Sequence, residues 1–200
     1  MSRTVTIIIG SPSKGSNTHI LAGEAQKGLE AIGVGSRVFF LNDMDIKGCQ
    51  SCLSCKVKNT VECAVKDDMQ LIYQAMEASD GILVATPIYF GYVTAQAKMW
   101  LDRMFPYLGS KEVVKEGVRT DLTGLMPGRK RAGFIFTQNQ PDPGLFIDDI
   151  RKFMDKVSLV GFEAGGYLLA TDLARGMKPM VTENEACMRA AYDLGKKYFE

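Results

Sequence analysis

Short apolar runs alternate with amphipathic stretches along this chain. The runs are Val5–Ile9, closed by Gly10-Ser-Pro, then Val38–Leu41, Gly81–Thr86, stopped by Pro87, Ala132–Thr137 and the weaker Gly166–Ala170. Between them the apolar positions take helical spacing. Leu21, Ala25 and Leu29 recur every four residues in a stretch from about Thr18 to Ala31. A second helix is predicted over Asp67–Ser79, with acidic residues at its start. In a third, from Val93 to about Phe105, Val93, Ala97, Trp100, Leu101 and Met104 share a face. Phe146, Ile150, Phe153, Met154 and Val157 make a fourth face. A last helix is predicted from Thr182, where Thr-Glu-Asn-Glu185 matches a capping box, with Cys187, Ala190, Ala191, Leu194 and Tyr198 inward. The order is strand–helix repeated five times. Runs that are apolar throughout suit strands buried on both faces. The expectation is an α/β unit over residues 1–200, a doubly wound five-stranded parallel sheet of order 2-1-3-4-5 with helices on both sides. The segments 48–66, rich in cysteine, and 106–130, polar and glycine-bearing, fit neither element type.

Composition changes this picture little. The chain has 200 residues, 46% of them hydrophobic and 24% charged, with a net charge of +1. Neither nucleic acid nor an anionic membrane is indicated as a partner. The apolar run at Val5–Ile9 is too short for a signal-peptide core or a membrane span, so the expected location is the cytoplasm. In that reducing compartment clustered thiols serve metal binding or redox chemistry more often than structural disulfides.

Ligands of open α/β sheets sit beyond the carboxyl ends of the strands. After the first run comes Gly10-Ser-Pro-Ser-Lys-Gly-Ser-Asn-Thr18, leading into a helix. It offers the hydroxyls of Ser11, Ser13, Ser16 and Thr18, the Asn17 amide, and N–H groups at a helix terminus whose dipole favours an anion. The segment is therefore a candidate phosphate loop, with Asn17 expected at the helix start and its amide on the phosphate. A plain strand-to-helix turn would use the same residue types. Lys14 precedes Gly15, which excludes a Walker A loop, and no G-x-G-x-x-G is present for a dinucleotide. His19, the one histidine, reads as a partly exposed first-turn residue. After the third run, Pro87, Ile88, Tyr89, Phe90 and Gly91 could cover a flat ring or pack on their own domain. Gly91 would let the backbone come close.

Taken with Ala97-Lys98 and Leu101-Asp102-Arg103, these two loops resemble the NADPH-dependent FMN reductase family of the flavodoxin-like fold, over roughly residues 4–140. The resemblance implies FMN phosphate on residues 11–18 and the isoalloxazine ring against 87–91. It implies a third contact loop after the fourth strand, here Thr137, Gln138 and Asn139. It also implies NAD(P)H as co-substrate and a homodimer or homotetramer with flavin near a subunit boundary. Lys98, Asp102 and Arg103 read as residues for helix solubility or a subunit contact.

Cys49, Cys52, Cys55 and Cys63 follow C-x2-C-x2-C-x7-C within one loop. Four soft sulfur ligands at this spacing suit an iron–sulfur cluster or zinc. Unliganded or redox-active thiols are the third reading. The pattern resembles the compact cysteine motif of iron–sulfur flavoproteins, which implies a [4Fe–4S] cluster beside FMN. Cys187 reads as a small hydrophobe on a buried helix face.

The expected function is an FMN-dependent NAD(P)H oxidoreductase that passes electrons to a small-molecule or protein acceptor, with a [4Fe–4S] cluster as one route. The alternatives are a non-enzymatic flavodoxin-like electron carrier and an FMN reductase with a metal-free cysteine loop. No side chain is assigned as acid, base or nucleophile. A receiver-type signalling domain would need acidic residues after the first strand, where Gly10-Ser-Pro stands.

Overall fold

A computed structural model describes residues 3–58, 60–110, 114–115, 118–119, 122–173 and 180–199. Five parallel strands, β1 (Thr4–Ile9), β2 (Gly35–Phe40), β3 (Gly81–Tyr89), β4 (Lys130–Thr137) and β5 (Phe162–Ala170), lie in the order β2-β1-β3-β4-β5. This is the expected 2-1-3-4-5 order of a flavodoxin-like fold. The helices are α1 (Asn17–Glu30), α2 (Met69–Ala78), α3 (Ala95–Asp102), α4 (Ile147–Leu159) and α5 (Glu185–Phe199).

Alternation along each strand divides the core into two layers. Val5, Ile7 and Ile9 of β1, Leu83 and Ala85 of β3 and Ile135 of β4 pack with Leu21, Leu29, Ala191 and Leu194 of α1 and α5. Ile8, Ile82, Val84, Phe134 and Phe136 face Ile72, Met76, Trp100, Phe153 and Val157 of α2, α3 and α4. Burial on both faces explains why the central strands carry continuous apolar runs. The edge strands do not: β2 includes exposed Arg37, and β5 opens with Phe162-Glu-Ala-Gly-Gly and shifts register between Ala164 and Tyr167. Their apolar runs therefore show only part of each strand.

Several boundaries differ from expectation: the helix expected from Val93 begins at Ala95, with Val93 paired to Ile88 in a hairpin, and the helix expected from Asp67 begins at Met69. β3 continues through Pro87 to Tyr89. Its pairing with β1 ends at Ala85, while Pro87 still pairs with Thr137 on the β4 side, so the missing proline N–H falls on an unpaired edge. The last helix begins at Glu185, and its cap is Asn184, whose Oδ1 accepts from the Cys187 N–H at 3.0 Å. Thr182 belongs instead to a single 3-10 turn, Val181–Glu183, so the predicted capping box is not the helix start. Within 106–130, Leu108–Ser110 pairs antiparallel with Leu122–Gly124, and Val114–Lys115 with Val118–Arg119.

Candidate functional site

The loops after β1, β3 and β4 meet at the carboxyl edge of the sheet, and the cysteine-bearing loop follows β2 at the same edge. In the first loop Ser11 is buried, and its hydroxyl shares a hydrogen bond with the Ser16 hydroxyl at 2.8 Å. Ser16 is the N-cap of α1 and accepts from the His19 N–H at 3.3 Å. The first turn leaves the N–H groups of Asn17 and Thr18 without intrahelical partners. Ser13 is exposed. His19 is half-buried, and its Nδ1 accepts from the Gly15 N–H at 2.8 Å, which folds the loop back on the helix. Lys14 lies over the Phe40 ring and makes an exposed ion pair with Asp43. Asn17 is the first helical residue, as expected, but its Oδ1 accepts from the Val181 N–H at 3.0 Å. The side chain thus has a structural tie that the sequence did not suggest. Thr18 is buried and hydrogen-bonds Thr137 at 2.7 Å, joining the first loop to the end of β4.

The second loop is a hairpin. Ile88 and Tyr89 pair antiparallel with Val93 and Tyr92, leaving Phe90 and Gly91 as a two-residue turn. Both have positive φ, 50° at Phe90 and 84° at Gly91, as a primed hairpin turn requires. Gly91 therefore serves the turn: a Cβ there would lie at an ordinary 3.5 Å from the Phe146 ring. Phe90 combines a left-handed backbone with full exposure, and Tyr89 is half exposed beside it. Two such costs on one residue make it a candidate functional position. Pro87 is buried within the strand and Ile88 is partly buried.

In the third loop Gln138 is buried and donates through Nε2 to the Gln140 and Asp142 carbonyls at 3.1 and 2.7 Å. Its Oε1 is buried with no partner among the described residues. Asn139 is exposed. The Gln138 oxygen and the Asn17 and Thr18 N–H groups are capacity that an FMN-sized ligand could use, so the residues fit that cofactor.

Cys49, Cys52, Cys55 and Cys63 line one cavity of about 530 Å³. The chain between the first three turns sharply, with left-handed backbone at Ser51 (φ 51°) and Leu53 (φ 55°). The short helix Ser54–Val57 follows, and the Thr60 N–H returns to the Cys55 carbonyl at 3.0 Å. Lys56 anchors the middle of the loop, donating to the Phe105 carbonyl at 2.7 Å and to the Leu108 carbonyl, with its ammonium 4.2 Å from the Phe105 ring centre. Burial pushes the Cys55 thiol pKa up, Lys56 opposes the rise, and Cys63 and Cys49 add to it. Among the described residues no three Cys, His, Asp or Glu side chains stand close enough to hold a single metal ion. A four-iron cluster distributes its thiolates over separate irons. Four soft sulfur donors lining one cavity have the donor chemistry such a cluster takes.

Arg103, expected on the surface or at a subunit contact, is buried. Its side chain, like that of Asp67, is 1% exposed, and the two form a forked ion pair with Nη1–Oδ2 2.6 Å and Nη2–Oδ1 3.0 Å. Nη1 also donates to the Lys47 carbonyl at 2.7 Å and Nη2 to the Val65 carbonyl at 3.2 Å, one on each side of the cysteine loop. Lys98 and Asp102 remain an exposed pair at 2.7 Å. Cys187 is only partly buried, and burial raises its thiol pKa. No helix among the described residues is long and apolar enough to cross a membrane.

Such a sheet, with a helix-terminus loop and an aromatic hairpin at its carboxyl edge, defines the class of flavodoxin-like α/β proteins. The model of the NADPH-dependent FMN reductase family matches residues 3–124, and the chain belongs to that family. It is 36% identical over 99 residues to an iron-sulfur flavoprotein of Methanosarcina thermophila, covering 50% of this chain and 51% of that protein. To an iron-sulfur flavoprotein of Archaeoglobus fulgidus it is 41% identical over 96 residues, 48% of each. The matches thus span about half the length of these curated relatives. Among solved structures, an NAD(P)H:quinone oxidoreductase from Methanothermobacter marburgensis superposes with a TM-score of 0.76 at 16% identity, over 98% of this chain and 99% of that one. An FMN-dependent NADH-azoreductase from Bacillus anthracis, in complex with FMN, gives 0.74 at 12% identity, over 99% and 100%. At these identities the superpositions speak for the fold alone.

Proposed function

We infer that the chain binds FMN at the 10–18, 87–91 and 137–142 loops and passes electrons from NAD(P)H to an acceptor, with an iron–sulfur cluster held by Cys49, Cys52, Cys55 and Cys63. The observation that carries this reading is the meeting, at one sheet edge, of a helix-terminus loop rich in hydroxyls with a strained, exposed Phe90-Gly91 hairpin. FMN, when bound, supplies hydride acceptance and one- or two-electron release. The protein's part is placement. The first turn of α1 offers N–H groups to a phosphate. Phe90 and Tyr89 offer apolar area to a ring. The iron-sulfur flavoprotein relatives and the four cysteines on one cavity support the cluster. A cytoplasmic setting and a homo-oligomer with flavin near the subunit boundary complete the proposal.

Protein purified without oxygen should show a flavin spectrum with a broad cluster band and release FMN on denaturation. It should contain iron with acid-labile sulfide and oxidise NADH or NADPH in steady state. Release of FAD alone would overturn the FMN reading. Absence of NAD(P)H oxidation in flavin-loaded protein would favour a pure electron carrier. The alternative of a metal-free reductase draws on the spacing of the thiols, none of which converge in threes on one ion among the described residues. Flavin without iron or sulfide would decide for it.

A further inference from the structure

Arg103 caps the end of α3, where an exposed cation would suit the helix dipole with no further partner. Instead it is 1% exposed and spends its two Nη groups on four acceptors, two oxygens of Asp67 and the carbonyls of Lys47 and Val65. Those acceptors stand at the two ends of the segment that carries all four loop cysteines. Asp67 reinforces the closure by accepting from the Lys47 N–H at 2.9 Å, and Asp68 accepts from the Asp45 N–H at 2.8 Å. The loop is thus drawn shut at its neck by one guanidinium.

A second observation concerns the third nitrogen of the same guanidinium. Arg103 lines the same cavity as Cys49, Cys52, Cys55 and Cys63, and its Nε–H is buried with no partner among the described residues. A buried charged donor left unmatched is costly, and such groups call for an explanation.

We propose that Arg103, braced by Asp67, is the positioning residue of the cysteine loop: it holds the loop's ends together so that four thiolates face one cavity, and its remaining Nε–H is offered to a sulfur of the iron–sulfur group. The inference rests on the cluster reading above. Arginine suits the task because a planar fork can bridge a carboxylate and two carbonyls at once, and lysine cannot. A positive charge and an N–H bond to sulfur both raise a cluster's reduction potential.

The test compares wild type with Arg103→Met, Arg103→Lys and Asp67→Asn, each reconstituted anaerobically with limiting ferrous iron and sulfide. Iron and sulfide per chain, midpoint potential and FMN content are measured together. Arg103→Met should lower cluster loading about 10-fold or more, the scale on which partners of metal ligands act, and leave FMN content unchanged. Its residual clusters should have a more negative potential. Arg103→Lys should load poorly too but keep a potential nearer wild type, because the charge remains. Asp67→Asn should lose loading through the weakened neck. A purely structural role would instead lower FMN content and iron in step and leave the potential of the residual clusters unmoved, and that result overturns the proposal. So does wild-type loading and potential in Arg103→Met, or in Arg103→Lys where the methionine variant does not fold. Wild type that takes up flavin but no iron overturns the cluster reading, and this inference with it.

Discussion

Asn17 sits where two demands cross. Its position at the first turn of α1 suits an anion, yet its Oδ1 already holds the Val181 N–H at 3.0 Å. The two demands separate by substitution. Asn17→Asp keeps the acceptor for Val181 but sets a negative charge beside the phosphate loop. FMN affinity should fall at least tenfold, about 1.4 kcal/mol, with the melting temperature of the flavin-free protein unchanged. Asn17→Leu loses both functions, and should also lower flavin-free stability by about 1 kcal/mol. Equal FMN affinity in wild type and Asn17→Asp, by flavin fluorescence titration, would leave this side chain with its structural tie alone. At Asp67, burial would raise the carboxyl pKa, but hydrogen bonds from Arg103 and the Lys47 N–H outweigh it and hold it below the usual range. A carboxyl whose folded pKa is depressed adds stability above its unfolded value, near about 4, and that stability is lost as pH falls through the folded value. Asp67→Asn should therefore remove part of the acid dependence of unfolding, as followed by denaturant midpoints at falling pH. At neutral pH it strands a buried guanidinium, at a cost of about 3–5 kcal/mol. The pairing of Asp67 with Arg103 was not legible in the sequence. A charged residue on an amphipathic helix ordinarily reads as solvated, and the partners of Arg103 lie 36 or more positions away.

Elements were legible where packing is two-sided and obscure where it is not. The apolar runs of β1, β3 and β4 were visible because both faces are covered; β2 and β5, at the edges, carry Arg37 and Glu163 and were read short. The packing of α1 on α5 also turns on two glycines that the apolar periodicity does not include. A Cβ added at Gly28 would lie 2.1 Å from the Tyr192 carbonyl oxygen, and one at Gly195 would lie 2.0 Å from that of Ala25. Both obstacles are backbone, so the helices themselves must separate. Helix propensity alone favours alanine over glycine by about 1 kcal/mol. Overpacking a fixed contact costs about 1–3 kcal/mol, occasionally more, and should win. Gly28→Ala and Gly195→Ala are each expected to lower stability in chemical denaturation. An increase from either would mean that the two helices can slide apart cheaply.

The molecule places two chemistries along one sheet edge but on different strand ends. Flavin-type loops follow β1, β3 and β4, and the cysteine loop follows β2. The Ile88–Val93 hairpin borders both: Phe90 stands exposed at its turn while Tyr92, two residues on, lines the cysteine cavity. The parallel order and the loops that carry chemistry could be read from the sequence, because strand order in a doubly wound sheet fixes which loops share an edge. What could not be read is how the cysteine loop is held. Its anchors come from α3 through Arg103 and from the carbonyls of Phe105 and Leu108 through Lys56, contacts between segments that no local pattern links. This layout predicts that the two sites come apart experimentally. Cys55→Ala removes one thiolate from a partly buried position, and none of the hydrogen bonds described in the flavin-type loops involves it. Anaerobically prepared Cys55→Ala protein should lose iron and acid-labile sulfide together and keep its full FMN content. Its NAD(P)H-to-flavin reduction rate should stay within about twofold of wild type, well under the tenfold that 1.4 kcal/mol represents. Parallel loss of FMN and iron would show that the cysteine loop and the flavin loops fold as one unit across the Tyr92 hairpin, and retention of iron would remove Cys55 from the ligand set.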